Sequence, residues 1–212
     1  MAYLPKKVPI VVQLLFPKLI WKVNTNEKTI YLTFDDGPTP EITDWVLDQL
    51  ATFNAKATFF CIGKNIEENP KVFRRLQEEG HGIGNHTYNH LKGWATNTKD
   101  YLANVKECDK VMVAHSTRSK LFRPPYGRIK IRQIKALQNL GHKIVMWNVL
   151  PIDWSKDITP EACSSYVLNN AKKGSIVVFH DSVKALRNMQ YALPEVLQHF
   201  TEKGFTFKRI PE

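Results

Sequence analysis

Cysteine is scarce in this chain of 212 residues, which contains only three. Cys61, Cys108 and Cys163 are far apart and show no paired spacing, so neither a disulfide framework nor a thiolate zinc site is predicted. Cys61 falls in the apolar run from Ala57 to Ile62, where cysteine is most simply a small buried residue. Isolated thiols of this kind fit a reducing compartment.

No apolar run is long enough to cross a bilayer, since the stretch Val8–Phe16 is far short of the roughly 20 residues required. Lys6 and Lys7 precede it, as in a secretory signal, but Gln13 interrupts it and Pro17-Lys18 follows without a small-residue cleavage site. The segment is predicted to be a short helix that caps the domain or contacts a membrane surface peripherally. A cytoplasmic or membrane-peripheral location is therefore favoured over secretion.

Stretches rich in Pro, Gly or Ser that would mark a linker are absent, and so are internal repeats. The sequence predicts one main domain at 28–212 and an N-terminal extension at 1–27. A hydrophobic share of 43%, with 5 Trp and 11 Phe, suffices for a core. The net charge of +10 suits an anionic polymer or membrane surface as partner, and equally a solvated basic surface. No nucleic-acid partner is expected, because no recognised binding motif is present.

Apolar runs typical of strands alternate with helical patterns, which predicts a parallel sheet or barrel with helices outside. The predicted strands are Thr29–Phe34, Ala57–Ile62, Gly82–Asn85, Leu121–Arg123, Lys143–Trp147, Ser175–Phe179 and Gly204–Arg209. The predicted helices are Glu41–Phe53, Pro70–Glu79, Thr98–Ala114, Ile129–Leu140, Pro160–Ala171 and Pro194–Lys203. Catalytic groups in such folds gather where strands end, and the informative polar residues of this chain fall there.

Two adjacent carboxylates, Asp35 and Asp36, follow the first predicted strand. They repel each other, and a cation or a shared proton would relieve the repulsion. One carboxylate could then bind a metal ion while its neighbour handles protons. Taken alone, the sequence Asp35-Asp36-Gly37-Pro38 is as readily an ordinary turn.

Two histidines, His86 and His90, are four positions apart, so one helical turn would bring them to the same side. This spacing is used for paired zinc ligands, although two unconnected histidines would give the same pattern. With Asp36 the set has three ligands, which leaves positions open for water and substrate, as in a catalytic site. Zinc fits these ligands best, and iron, cobalt, nickel or manganese also accept them.

Two further segments carry weaker signals. The prolines of Arg123-Pro124-Pro125-Tyr126-Gly127 make a stiff loop, which could hold the guanidinium against a carboxylate and aim a backbone N–H at a reaction centre. A plain surface loop is the alternative. His180 ends a predicted strand, and Asp153 precedes Trp154 after another. An acid paired with His180 would raise its pKa and fix its tautomer.

Taken in order, these segments resemble the five motifs of the polysaccharide deacetylases, carbohydrate esterase family 4. The motifs correspond to residues 33–38, 86–90, 123–127, 153–154 and 178–180, and the resemblance covers roughly 28–210. It implies a single-domain α/β fold, a distorted and incomplete (β/α) barrel of seven strands. It also implies a metal-dependent enzyme that removes acetyl groups from N-acetylglucosamine-containing glycans of the chitooligosaccharide or peptidoglycan type.

The resemblance implies a role for each matching residue. Asp36, His86 and His90 would bind one divalent ion, most simply zinc. The implied catalytic residues are Asp35 as base, Arg123 as its partner, His180 as acid, Asp153 as the group that tunes His180, and Tyr126 as backbone oxyanion donor. The implied substrate contacts are Pro124, Tyr126 and Trp154.

The fourth motif departs from the family pattern, because Leu150 and Pro151 stand where the family often carries Asp and Ser. The groove wall should therefore differ, which leaves other substrates open: acetylated xylan, or a small non-sugar amide. A non-catalytic module that binds an anionic glycan is the alternative from another class. Trp94, Trp147 and Trp154 could each stack on a sugar or belong to the core.

Overall fold

The computed structural model describes residues 10–212, which contain a sheet of seven parallel strands. The strands are β1 (Thr29–Asp35), β2 (Thr58–Cys61), β3 (Gly82–Asn85), β4 (Leu121–Phe122), β5 (Lys143–Ile144), β6 (Ile176–His180) and β7 (Thr206–Phe207). Their order is β5-β4-β3-β2-β1-β6, and β7 pairs with the start of β1. An isolated bridge between Val149 and Val177 spans the gap from the chain after β5 to β6. The predicted incomplete barrel is confirmed.

The central strand β1 is buried along its whole length, as expected for a parallel strand covered on both faces. Its side chains alternate between two cores because successive residues of a strand point to opposite faces. Phe34 joins one core and stacks between Phe59 and Phe179, with ring centroids 5.0 and 6.1 Å away. Tyr31 joins the other core, which lies on the opposite face. The strand therefore holds Asp35 rigidly at its carboxyl end.

The helices surround this sheet. They are α1 (Ile10–Leu15), α2 (Ile42–Thr52), α3 (Gly63–Glu68), α4 (Pro70–Glu78), α5 (Thr98–Ala114), α6 (Ile131–Asn139), α7 (Pro160–Asn170) and α8 (Leu186–Glu202). Most predicted helices are present to within two residues at each end, but α3 was not predicted.

The predicted start of the last helix at Pro194 is wrong, since α8 begins at Leu186 and contains Pro194 in its interior. Proline favours a first helical position because it has no N–H to satisfy there, which is why it predicted a start. Met189, Leu193 and Val196 lie on the buried face of α8, on both sides of the proline. Burial of this face outweighs the hydrogen bond that proline removes.

The chain before β1 packs on the barrel. Leu19 and Trp21 are buried in the core that contains Tyr31, and Ile20 pairs with Val145. Preceding them, α1 exposes Leu14 and other apolar side chains. The two lysines at positions 6 and 7, which precede the apolar stretch in the predicted N-terminal segment, lie outside the described residues. Within 10–212, no helix combines the length and apolar character needed to span a membrane. Peripheral membrane contact and the division at residue 28 stay predictions.

Candidate active site and metal centre

The polar residues that follow the strands meet in one cleft of about 510 Å³. This convergence follows from the fold, because the carboxyl ends of parallel strands lie at the same edge of the sheet. Asp35 ends β1, His86 follows β3 and His180 ends β6. The residues that line the cleft are Asp35, Asp36, Thr39, Ile62, Asn65, His86, His90, Tyr126, Gly127, Trp147, Leu150, Trp154, Val178, His180, Ser182, Val183 and Lys184.

The three predicted metal ligands converge. Asp36, His86 and His90 each offer a ligand atom, and these atoms all lie within 4.8 Å of one another. Oδ1 of Asp36 is 3.3 Å from Nε2 of His90 and 3.8 Å from Nε2 of His86. This Oδ1 is buried and has no hydrogen-bond partner among residues 10–212. An orphaned acceptor facing two imidazole nitrogens fits a bound cation.

The two histidines are suited to ligation electrostatically as well. Nδ1 of His86 donates to the carbonyl oxygen of Arg123 at 2.8 Å, so the lone pair of its ring is on Nε2, the nitrogen that faces Asp36. Burial lowers the pKa of His86. Burial, and to a lesser degree the neighbouring His86, lowers the pKa of His90 to about 4. Both rings are therefore neutral at pH 7, as a metal ligand must be.

The histidines meet in a different way from the one predicted. The segment between them is not a helical turn, since Thr87 and His90 have left-handed φ values of 67° and 58°. Asn85 stabilises the turn by accepting a hydrogen bond from the Thr87 N–H at 2.7 Å. Leu91 donates its N–H to the Thr87 hydroxyl at 3.1 Å. This closed turn, rather than helical periodicity, brings the rings of His86 and His90 to 5.2 Å.

Asp35 and Arg123 form a buried ion pair. Nη1 of Arg123 donates to Oδ1 of Asp35 at 2.7 Å and to the hydroxyl of Thr33 at 2.7 Å. The guanidinium also packs on the ring of Phe60 at 4.1 Å, and Nη2 donates to the carbonyl of Met146. Burial alone would raise the pKa of Asp35, but the charge of Arg123 outweighs it and holds that pKa below its usual value. Asp35 is therefore ionised at neutral pH.

His180 is paired with Asp153 in the same cleft. Nδ1 of His180 donates to Oδ1 of Asp153, and the backbone N–H of His180 donates to Oδ2, both at 2.8 Å. Asn188 fixes the Asp153 backbone by donating to its carbonyl oxygen. Burial alone would lower the pKa of His180, but the carboxylate of Asp153 outweighs it and raises the pKa to about 9. His180 is therefore protonated at neutral pH.

Two of the three predicted substrate contacts line the cleft, and the third does not. Tyr126 lines the cleft in a left-handed conformation, with φ 60°, and its ring is 4.6 Å from that of His90. Trp154 also lines the cleft, and its ring is 4.6 Å from that of His180. Pro124 is buried and is not among the lining residues. Leu150, one of the two residues that depart from the family pattern, lines the cleft and contributes an apolar surface to its wall.

Asp181 is a site residue that sequence reasoning did not assign. Its buried carboxyl group accepts hydrogen bonds from the Gly37 N–H at 3.1 Å and from the Thr43 hydroxyl at 2.5 Å. A Cβ at position 37 would lie 1.9 Å from Oδ2 of Asp181, so this approach requires glycine. Asp181 thereby holds the loop that carries Asp36. No local sequence pattern indicates this role of Asp181. It depends on the pairing of β1 with β6, which places Asp35 beside His180 and which the sequence does not reveal.

Together, the fold and the site define an open α/β barrel with a candidate metal centre and two acid–base pairs at its strand ends. The sequence model of the polysaccharide deacetylase family matches residues 22–145. The chain therefore belongs to the polysaccharide deacetylase family.

Relatives cover nearly the whole chain. A peptidoglycan-N-acetylglucosamine deacetylase of Bacillus cereus is 38% identical over 196 residues, which is 91% of each protein. A chitooligosaccharide deacetylase of Azorhizobium caulinodans is 35% identical and covers 90% of this chain and 96% of its own length. The crystal structure of a peptidoglycan N-acetylglucosamine deacetylase superposes with a TM-score of 0.89 at 32% identity, covering 96% of this chain and 95% of the other.

Proposed function

We propose that this protein is a metal-dependent deacetylase that removes acetyl groups from N-acetylglucosamine-containing glycans. One observation carries the proposal: the ligand set of Asp36, His86 and His90 shares a cleft with an ionised acid, Asp35, and a protonated histidine, His180. A base and an acid beside a metal position supply what hydrolysis of an amide requires. The activities named for the relatives support the acetylated sugar as substrate.

The carboxylate of Asp35 acts as the general base. Arg123 bonds to Oδ1 of Asp35, so Oδ2 is the oxygen left to take a proton from the attacking water. Arg123 keeps this carboxylate ionised and fixes its orientation. Asp36, His86 and His90 would hold a divalent ion, which would supply Lewis-acid polarisation of the acetyl carbonyl and a lower pKa for water.

The proton for the leaving amine comes from His180. Its Nδ1 is occupied by Asp153, so the proton on Nε2 is the one available to the cleft. The backbone N–H of Tyr126 donates to the oxygen on which negative charge develops, in the manner of an oxyanion hole. Leu150 and Trp147 make an apolar wall that excludes water from the reacting carbonyl.

Acetate release tests this function. We expect the protein to release acetate from N-acetylglucosamine oligomers, to lose this activity after treatment with a chelator, and to regain it when zinc or cobalt is restored. Metal binding without acetate release from these oligomers would contradict the proposed substrate. Failure of zinc, cobalt, nickel, iron and manganese to bind would contradict the metal centre.

Asp153→Asn is expected to move the alkaline limb of the pH–rate profile to lower pH by at least about one unit. Burial lowers the pKa of His180, and Asp153 is the largest of the groups that raise it to about 9. Without the charge of Asp153, burial is opposed only by the weaker effects of Asp36 and Asp35. The acid form of His180 is then lost at a lower pH, while the acidic limb set by Asp35 stays in place. The measurement is kcat from pH 5 to pH 10.

The matched control for this change is Asp157→Asn, which removes an exposed carboxylate from the same loop. The control profile should coincide with wild type. An alkaline limb that did not move in Asp153→Asn would show that His180 is not the group that titrates there.

A further inference from the structure

The segment that carries His90 depends on other parts of the chain for its position. Thr87 and His90 both have left-handed φ values, 67° and 58°. Such values are unfavourable for any residue with a Cβ, and they persist only where the surroundings enforce them. His86 is fixed separately, because its N–H donates to the carbonyl oxygen of Cys61 and its ring to that of Arg123. The backbone of His90 makes no hydrogen bond within residues 10–212, so this ligand depends on the turn that precedes it.

Helix α5 supplies one support of this turn directly. Oδ1 of Asn104 accepts hydrogen bonds from the N–H groups of Tyr88 and Asn89, at 3.0 and 3.4 Å. A backbone N–H can only donate, so the side chain of Asn104 must present its oxygen to the turn. Asn89 immediately precedes His90. The contact therefore fixes the peptide groups that lead into this ligand.

The same helix supplies a second support through an intermediate side chain. Nδ2 of Asn85 donates to Oδ1 of Asp109 at 2.7 Å and to the carbonyl oxygen of Val105 at 2.9 Å. With its amino group held in this way, Asn85 must turn its oxygen to the N–H of Thr87, from which it accepts at 2.7 Å. The other oxygen of Asp109, Oδ2, is 3.2 Å from Nε2 of His142. Asp109 thereby fixes the orientation of Asn85 and, through it, the start of the turn.

We propose that Asn104 and Asp109 are positioning residues for the metal centre, and that α5 shapes the turn that brings His90 to the other two ligands. The inference rests on the metal centre of the proposed function and adds two residues to it. Neither residue is among those that line the cleft, so each acts through the turn and not on a substrate. Side chains that orient metal ligands in this indirect way commonly tune the affinity for the metal.

The support from Asn104 can be removed without unfolding the protein. Tyr88 is half-buried and Asn89 is exposed, so water can satisfy their N–H groups when the oxygen of Asn104 is absent. The turn is then released, and no buried donor is left unpaired. The expected consequence is a weaker metal site in a folded protein.

Zinc titration of the metal-free protein, followed by calorimetry, tests the inference. Asn104→Leu keeps the size of the side chain but removes the acceptor, and we expect it to weaken zinc binding by about tenfold or more. Asn104→Asp keeps an oxygen at the same position and should recover most of the lost affinity. Asp109→Ala should weaken binding as well, and Asp109→Asn should recover it, because an amide oxygen can still accept from Asn85.

A double-mutant cycle shows whether Asn104 acts through His90. In a protein that already carries His90→Ala, Asn104→Leu should cause little further loss of zinc affinity, because the ligand that it positions is absent. Equal losses in the presence and absence of His90 would overturn this route. The matched control is Asn139→Leu, the same substitution at an exposed position of α6, which should bind zinc as tightly as wild type.

Each other outcome also decides the inference. If a variant that lacks the acceptor at position 104 or 109 bound zinc as tightly as wild type, the role of that residue would be overturned and the metal centre would stand. If Asn104→Leu did not fold, Asn104→Ala would make the same test. Failure of wild type to bind any metal would overturn the metal centre and this inference together. Zinc binding by wild type without release of acetate would overturn the deacetylase function alone, and the titrations would still decide the inference.

Discussion

Asp35→Asn is expected to lower kcat by about 10²–10⁴-fold while the affinity for metal stays close to that of wild type. The amide cannot take a proton from water, but its oxygen can still accept the hydrogen bond from Arg123. The three ligands are separate residues and keep their positions. The measurements are the rate of acetate release and the stoichiometry of bound zinc, made on the same sample.

This change also affects stability, because it leaves the guanidinium of Arg123 buried without a carboxylate. Breaking a buried ion pair in this way costs about 3–5 kcal/mol, so the melting temperature should fall. Asp48→Asn is the control, since it removes a carboxylate from the exposed network of Arg75 and should cost at most about 1 kcal/mol. A folded, zinc-loaded Asp35→Asn protein with a normal kcat would show that another group is the base.

His90→Ala is expected to weaken metal binding by at least about 100-fold, since changes that act only on the surroundings of a ligand already cost 10–100-fold. Acetate release should disappear at metal concentrations that saturate wild type. The fold should survive, because the side chain of His90 is 26% exposed and lies at the edge of the cleft. Titration of the metal-free protein with zinc, followed by calorimetry, measures the loss.

His199→Ala serves as the control for this change, because His199 lies on α8 and outside the candidate site. It removes one imidazole from the protein and should leave zinc affinity unaltered. If His90→Ala bound zinc as tightly as the control, the ion would have to be held by other residues. If it lost zinc but released acetate at the normal rate, the proposed metal dependence would be wrong.

Much of the candidate site was predictable from the sequence because its residues follow short apolar runs. Asp36, His86 and His90 were assembled as a ligand set from residue type and spacing, and the structure brings their ligand atoms together. The pairing of Arg123 with a carboxylate was also predicted, and Asp35 is that carboxylate. The alternation of strands and helices predicted the barrel, because the spacing of apolar residues and the positions of turn residues are local properties of the sequence.

Other features depended on tertiary contacts. Helical spacing wrongly predicted how His86 and His90 meet, since the segment between them is held by bonds from distant parts of the chain. The N–H groups of Gly63 and Lys64 donate to the carbonyl oxygens of Thr87 and Tyr88, and the Tyr88 N–H donates to Asn104. Pro194 misplaced the start of α8, because the buried face of that helix outweighs the local preference of proline. Both errors arose where long-range packing outweighs a local pattern.

The sequence by itself determined which chemical groups this protein carries and at which strand ends they stand. The tertiary structure decided how those groups act on one another. Arg123 holds Asp35 ionised, Asp153 keeps His180 protonated, and Asp181 anchors the loop of Asp36. Each of these pairs joins residues 27 to 144 positions apart. Their charge states depend on burial and on neighbours from other strands, which only the folded sheet brings within hydrogen-bond distance.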